Sequence, residues 1–398
     1  MAGVHDDAVA IATELTRLRR AIHAEPEIGL DLPRTQRKVL DSLDGLPLEI
    51  RLGESLSSVT AVLRGARPGN TVLLRADMDA LPVTERTGLP YASLIDGAMH
   101  ACGHDLHTAM LAGAARLLSA RQHELAGNVV FMFQPGEEGP GGARVMVEEG
   151  VLDAAGEPPV AAYALHVVSG LLPFGLLASR ADTLMAAADT LHVTVHGRGG
   201  HGSQPQNAAD PIPVACEIVL ALQTMVTRRF DVFDPVVVTV GTFHAGTVDN
   251  VIPDDAQFVA TVRSFSPGAR AAVQAAAPRI ATDIATAHGL SATADFRDGY
   301  PVTVNDGAEL TFAVQTVADV LGDGRYITAP NPLTGSEDFS YVLEHVPGAF
   351  LMLGACAPDT DPFTAPFNHS AEACFDDAVL PDGTALYAEL ALRRLASG

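Results

Sequence analysis

Two hydrophobic rhythms follow one another along these 398 residues, and their order restricts the fold more than any other feature. Before about residue 182 the apolar runs fall at residues 59–63, 71–75 and 128–134, with an Ala- and Leu-rich helical stretch at 108–120. Strand, helix, strand in that order predicts an α/β layer: a mixed, mostly parallel sheet with helices on both faces. Ligands collect at the carboxyl edge of such a sheet. From about residue 183 the pattern becomes strict alternation (Leu191, Val193, Val195), then a helix at 213–227, strands at 236–240 and 257–263, an Ala-rich helix at 269–288 and a strand at 292–296. The order β, α, β, β, α, β is that of a ferredoxin-like α+β sandwich. Helix and strand patterns then resume at 308–397, so we expect one domain from 1–182 and 299–398, and an inserted one at 183–298. A helix with Ile11, Leu15, Leu18 and Ile22 on one face precedes all of this and breaks at 25–29.

Composition narrows the function classes. With 48 acidic against 25 basic side chains the formal net charge is −23, which argues against a nucleic-acid or anionic-membrane surface. An apolar fraction of 47% beside only 18% charged residues excludes disorder as the dominant state. No run of about 18 apolar residues occurs without Gly, Pro, His or a charge, so no membrane span is expected. The first fifteen residues lack the basic and continuously apolar regions of a secretory signal, and a cytoplasmic location is the expectation. Cys102, Cys216, Cys356 and Cys374 are too few and too scattered for a disulfide scaffold and are expected as thiols.

The chemistry concentrates in two clusters. Met99-His100-Ala101-Cys102-Gly103-His104-Asp105-Leu106-His107 packs three imidazoles, a thiol and a carboxylate together, and Cys102 with His104 offers two metal-capable side chains. As a plain loop before a helix, the same segment would use Asp105 as an N-cap, with His107 in the first turn. The second cluster, Gln134-Pro135-Gly136-Glu137-Glu138-Gly139, follows an apolar strand. Adjacent glutamates project in different directions, so one can ligate a metal while the other moves a proton. The glycines after them do not end in the Lys-Ser/Thr of a nucleotide P-loop.

Taken together, LLRADMDALP, MHACGHDLHTAM, FQPGEEGPGGA, ALHV, GRGGHGSQP, DNVIPD, TGSEDF and FNHSAEACFDD resemble the M20 metallopeptidase clan, and most closely its amidohydrolase branch. That branch includes hippurate, auxin-conjugate and N-acyl-amino-acid hydrolases. The motifs span residues 73 to 377. The resemblance implies metal ligands at Cys102, His104, Glu138, His166 and His369, and a general base at Glu137. Two divalent ions per subunit are expected: five ligands give each ion four contacts only if Cys102 and one water are both shared; thiolate and imidazole favour zinc, while manganese, cobalt or nickel also suit such donors. Most of the clan has His-x-Asp where this sequence has Asp77-Met78-Asp79, and Asp79 is expected to orient a ligand histidine rather than to bind metal. It further implies His201 as the oxyanion donor, acting across a homodimer formed by the inserted lid domain. Asn250 and Arg263, with Gly335 and Ser336 added from the catalytic domain, are expected to hold the substrate's free carboxylate. The alternative to an ion pair with substrate is an ion pair between Arg263 and Asp254 or Asp255.

The resulting expectation is metal-dependent cleavage of the amide bond of an N-acyl amino acid to a carboxylic acid and a free amino acid. Within the clan the competing activity is that of a dipeptidase or aminopeptidase; outside catalysis it is a silent small-molecule binding protein on the same scaffold. Glu137 separates the last of these, because a silent relative has no need of the base.

Overall fold

The computed structural model describes residues 3–357 and 359–397, which form two compact units. The first comprises residues 1–184, 304–331 and 338–398; the second comprises 185–303 and 332–337.

The first unit is an α/β layer built on an eight-stranded mixed sheet. Four parallel strands form its centre, in the order Ala126–Gln134, Arg67–Asp77, Ala161–Val168 and Gly348–Gly354. Antiparallel Val59–Arg64 and Leu48–Leu52 extend one side, and Leu177–Ser179 and Tyr326–Thr328 the other. Apart from the exposed start of Arg67–Asp77 at residues 67–70, the central strands are mostly apolar and almost wholly buried, as parallel strands covered on two faces must be. Helices His104–Ala120 and Leu380–Ala396 pack on each other and on Arg67–Asp77. Their Leu106, Met110, Leu386 and Leu390 join Leu74, Phe131, Tyr163 and Leu351 of the sheet in one core.

Residues 4–43 fold as three helices, Val4–Ala10, Ala12–His23 and Pro33–Leu43, with the predicted break between the last two. Helix His104–Ala120 begins earlier than its apolar pattern suggests. Its N-cap position is Gly103, not Asp105: the Asp105 carboxylate instead accepts from Arg19 Nε and bonds His23 Nδ1, each at 2.7 Å. Burial of those two partners, not local capping, determines where the carboxylate points.

The second unit is a four-stranded antiparallel sheet, ordered Val236–Ala245, Asp255–Ser264, Ala187–His196, Ser291–Tyr300, with helices Pro211–Arg229 and Pro267–Ala287 packed on it. This is the ferredoxin-like arrangement. Strand Ala187–His196 alternates buried and half-buried residues, and its inward Leu191, Val193 and Val195 meet Phe258, Ile218, Leu222 and Val273. Segment 332–337 belongs with this unit, where Ala186 N–H donates to the carbonyls of Leu333 and Gly335, at 3.0 Å each. No helix among the described residues is long and apolar enough to cross a membrane.

Candidate metal centre

Parallel strands point their carboxyl ends to one edge, and this brings the sequence clusters of the first unit together. Asp77 ends its strand in register with Gln134, so Asp79 and the Glu137–Glu138 pair lie just beyond neighbouring strand ends. Their connection is direct: Glu137 N–H donates to Asp79 Oδ1 and Glu138 N–H to Asp79 Oδ2, both at 3.0 Å. On the other side of Arg67–Asp77, strand Ala161–Val168 carries His166.

Cys102 and His104 flank Gly103, whose φ of 86° lies in the left-handed region. A Cβ there would stand 2.4 Å from Val167 Cγ2, so glycine is required both by the turn and by the close approach to the His166 strand. His369 arrives from a distant loop and also takes a left-handed backbone, at φ 73°. For a non-glycine residue that conformation is held only by surrounding structure. Its N–H donates to Ala101 O at 2.8 Å, while the Asn368 side chain donates to Cys102 O and Val167 O and accepts from Ser169 N–H.

The five expected ligands form two triads that share one atom. Cys102, His104 and His166 converge, and so do Cys102, Glu138 and His369, with the donor atoms of each triad within 4.8 Å of one another. Cys102 Sγ is 3.4 Å from His166 Nε2, and His369 Nε2 is 3.0 Å from Glu138 Oε1. His166 Nδ1 donates to Val167 O at 2.8 Å, which leaves the Nε2 lone pair facing the thiol. His104 is fully buried, yet among the described residues neither of its ring nitrogens makes a well-directed hydrogen bond: the nearest carboxylate oxygens are Asp79 Oδ1 at 3.4 Å from Nδ1 and Asp77 Oδ2 at 3.8 Å from Nε2. Buried polar atoms without partners are rare and demand an explanation. Soft and borderline donors converging on a shared point, with those lone pairs unspent, fit a pair of divalent cations.

The electrostatics agree. Burial pushes the Cys102 thiol up to about 12, so a thiolate there needs a cation. Burial opposes the charged form of His104, but the neighbouring carboxylates, Asp77 foremost and Asp79 with it, outweigh it and hold its pKa well above the ordinary value, so the site favours positive charge at this point. Burial likewise opposes ionised Glu138, but His369 and His104 keep its carboxyl below the usual range. His104 Nδ1 lies 3.4 Å from Asp79 Oδ1, leaving Nε2 on the side of Glu138. A third triad, Asp77, His104 and His107, also converges, but two of its members are engaged by other protein groups. Asp77 bonds Arg75 NH1 at 2.6 Å and His107 Nδ1 at 2.5 Å, while His107 Nε2 accepts from Val167 N–H.

The remaining sequence-predicted residues lie in the second unit. The two-residue strands Gly200–His201 and Val251–Ile252 pair with Val251 opposite His201, and Gly202 N–H donates to Asn250 O, so His201 and Asn250 are neighbours. Both are exposed, and His201 Nδ1 bonds Ser203 Oγ at 2.9 Å. Arg263 is half-buried on Asp255–Ser264, where its NH1 donates to Thr261 Oγ1 and Val262 O. Among the described residues it forms no ion pair with Asp254 or Asp255: Asp254 accepts from Gly199 N–H and Asp255 from Gln257. Gly335 is exposed and Ser336 half-buried, in the segment that clusters with the second unit rather than with the first. Asn368, Arg75 and His107 went unassigned from sequence although all three lie inside or beside the quoted motifs.

Fold and site thus define a hydrolase scaffold with a dinuclear type of donor set. Residues 73–393 match Peptidase family M20/M25/M40, and the chain belongs to that family, in its amidohydrolase branch. It is 37% identical over 392 residues to Thermostable carboxypeptidase 1 of Saccharolobus solfataricus, covering 98% of this chain and 97% of that one. It is 36% identical to N-acetylcysteine deacetylase of Bacillus subtilis, covering 96% and 97%. Among solved structures it resembles the Bacillus subtilis YXEP protein, described as a dinuclear metal binding peptidase from the M20 family, with a TM-score of 0.83, 34% identity and coverage of 98% and 99%.

Proposed function

We propose that this protein is a two-metal amidohydrolase that cleaves N-acyl amino acids to a carboxylic acid and a free amino acid. The observation that carries the reading is the pair of donor triads sharing Cys102 beside the buried Glu137. Cys102, His104 and His166 would hold one ion, and Cys102, Glu138 and His369 the other; zinc suits the thiolate, with manganese, cobalt or nickel as the alternatives. Bound divalent ions supply Lewis acidity, bringing the pKa of water from about 15.7 towards about 7. Glu137 takes the proton of the attacking water and returns it to the leaving amide nitrogen. Asp79 holds Glu137 and Glu138 by their backbone N–H groups and lies against the back of the His104 ring.

His201 is the oxyanion donor in this reading, acting on the site of a second copy, and Asn250 and Arg263 receive the substrate carboxylate, with donors from Gly335 and Ser336. Dimerisation through the second unit is supported by its unpaired edge strand Val236–Ala245, where Val237 and Phe243 are exposed, and by exposed Leu220 on the adjacent helix. Four free thiols suit a reducing, cytoplasmic setting. The Saccharolobus relative is named a carboxypeptidase, and cleavage of a peptide bond beside a free carboxylate uses the same groups.

A substrate panel after reconstitution with single metals separates the two readings. N-acetyl, N-benzoyl and indole-acyl amino acids are expected to turn over faster than dipeptides and longer peptides, and Glu137→Gln to abolish turnover while keeping its metal. Preferential peptide cleavage would replace the proposal by the carboxypeptidase reading, and retained turnover in Glu137→Gln would remove the base.

A further inference from the structure

We propose that His107 is a positioning residue that fixes ligand His166 by gripping the peptide bond that follows it. This rests on the metal-centre reading above, since His166 must be a ligand for its aim to matter.

His107 lies in the first turn of helix His104–Ala120 and is fully buried. Both of its ring nitrogens are committed. Nδ1 is 2.5 Å from Asp77 Oδ1, and Nε2 is 2.8 Å from the backbone nitrogen of Val167. The Val167 nitrogen can only donate, so Nε2 must carry a lone pair and the ring proton must sit on Nδ1, directed at Asp77. The tautomer follows from the partners. Asp77 is itself held: its Oδ2 accepts from Arg75 NH1, and its backbone carbonyl accepts from Thr108 Oγ1 at 2.9 Å. Arg75 in turn donates to Gln134 Oε1 and Asp338 Oδ1, both at 2.8 Å, and the side chains of this chain of bonds are all buried.

The far end of the network is the His166–Val167 peptide. His107 holds the N–H of that peptide, and the next carbonyl, Val167 O, accepts from His166 Nδ1 and from Asn368 Nδ2. The His107 ring also packs edge-on against the His166 ring, with centroids 4.8 Å apart. Backbone, ring plane and tautomer of His166 are therefore all fixed from behind, with Nε2 left towards Cys102. Asp77, at a strand end beside His104, has each of its oxygens engaged in this support, Oδ1 by His107 and Oδ2 by Arg75.

Two substitutions divide the role. Asparagine places its amide nitrogen where histidine has Nδ1, so His107→Asn can keep Asp77 but cannot reach Val167. Glutamine places its polar end where histidine has Nε2, so His107→Gln can still accept from Val167. Binding of Co²⁺ to the full-length metal-free protein, measured against a competing chelator and by visible absorption, reads the site without turnover. The native protein is expected to take up two Co²⁺. In His107→Asn one of the two binding steps should weaken by about ten- to a hundred-fold, with altered ligand-field bands, while the other is unchanged. His107→Gln should recover most of the lost affinity. Unchanged affinity and bands in His107→Asn, equal weakening of both steps, or a His107→Gln protein no better than His107→Asn would each overturn the proposal. Fewer than two Co²⁺ in the native protein would instead remove the metal-centre reading beneath it.

Discussion

The Glu138 backbone N–H is bonded to Asp79 Oδ2 at 3.0 Å, so the carboxylate after one strand fixes the ligand-bearing loop after the next. Asp79 Oδ1 does the same for Glu137 and stands 3.4 Å from His104 Nδ1. One buried side chain thereby holds the proposed base and two proposed ligands.

Replacing Asp79 by alanine should accordingly do two separable things. It leaves the buried Glu137 N–H and the part-buried Glu138 N–H without an acceptor, at about 1–3 kcal/mol for the first and less for the second, which denaturant unfolding of the metal-free protein would read. It also frees the Glu137–Glu138 loop and the back of His104, so metal affinity should fall by about 10- to 100-fold and kcat with it. A stability loss with metal affinity intact would show that Asp79 serves the fold alone.

Cys102 is the one donor common to both triads. If it is shared, Cys102→Ala removes a contact from each ion, and the content of both should drop together after chelator challenge. His369→Ala, which touches one triad only, should cost one ion. Measured by elemental analysis, a Cys102→Ala protein with native metal content would show that the thiol is not a ligand.

Much of the site was legible because the donors are chemically conspicuous. Cys102, His104, Glu137 and Glu138 stand in dense clusters next to strand or helix ends, and the sheet edge brings them together as the strand–helix–strand order predicts. The alternating pattern of the second unit likewise identified its sandwich. What escaped was support rather than function. Arg75 and His107 have no local signal that they belong to one network, since their partners Asp338 and Val167 are brought in by tertiary packing. Asp105 looked like a cap because Arg19 and His23, its actual partners, lie more than eighty residues away in sequence. Strand Gly348–Gly354, an uninterrupted buried run, has no periodicity by which to separate it from a helix segment.

A pH dependence follows from the His23–Glu85 pair on the far side of Asp105. Burial works against ionised Glu85, but bonds from His23, Thr87 and Ser93 N–H win and bring its pKa from 4.5 to about 2. A depressed carboxylate stabilises the fold above its unfolded value and loses that contribution as pH falls from 4.5 towards 2. His23 shifts the other way: despite burial, Asp105 raises it above 6.5, so its contribution is complete below 6.5 and fades as pH rises through the higher folded value. Glu85→Gln should therefore destabilise most between pH 4.5 and 6.5, by on the order of 1–2 kcal/mol after allowance for solvent screening, and hardly at all near pH 2. Denaturant midpoints across that range check it; a constant difference down to pH 2 would contradict the assignment.

Arg263 carries the last expectation, about what the enzyme accepts. Its guanidinium is half-buried, and burial holds its pKa below the ordinary value with Asp189 acting only weakly against it. Among the described residues no carboxylate comes within ion-pair distance, and the acids nearest in sequence, Asp254 and Asp255, are bonded elsewhere. Asp189, the carboxylate whose charge acts on Arg263, is held at both oxygens by Arg270; a cation partly stripped of water and without an ion-pair partner of its own is an efficient receptor for an anion, and a planar fork can grip both oxygens of a carboxylate. The protein's net charge of −23 makes such a local receptor necessary, because its long-range field repels anionic substrates. Removing the substrate's α-carboxylate charge, by amide or methyl ester, should then cost about 1.5–3 kcal/mol of transition-state binding, roughly 10- to 150-fold in kcat/KM. In Arg263→Lys, which keeps the charge and loses the fork, most of that preference should disappear while the metal content stays native. Equal kcat/KM for acid and amide in the unaltered enzyme would show that the carboxylate is not what Arg263 recognises.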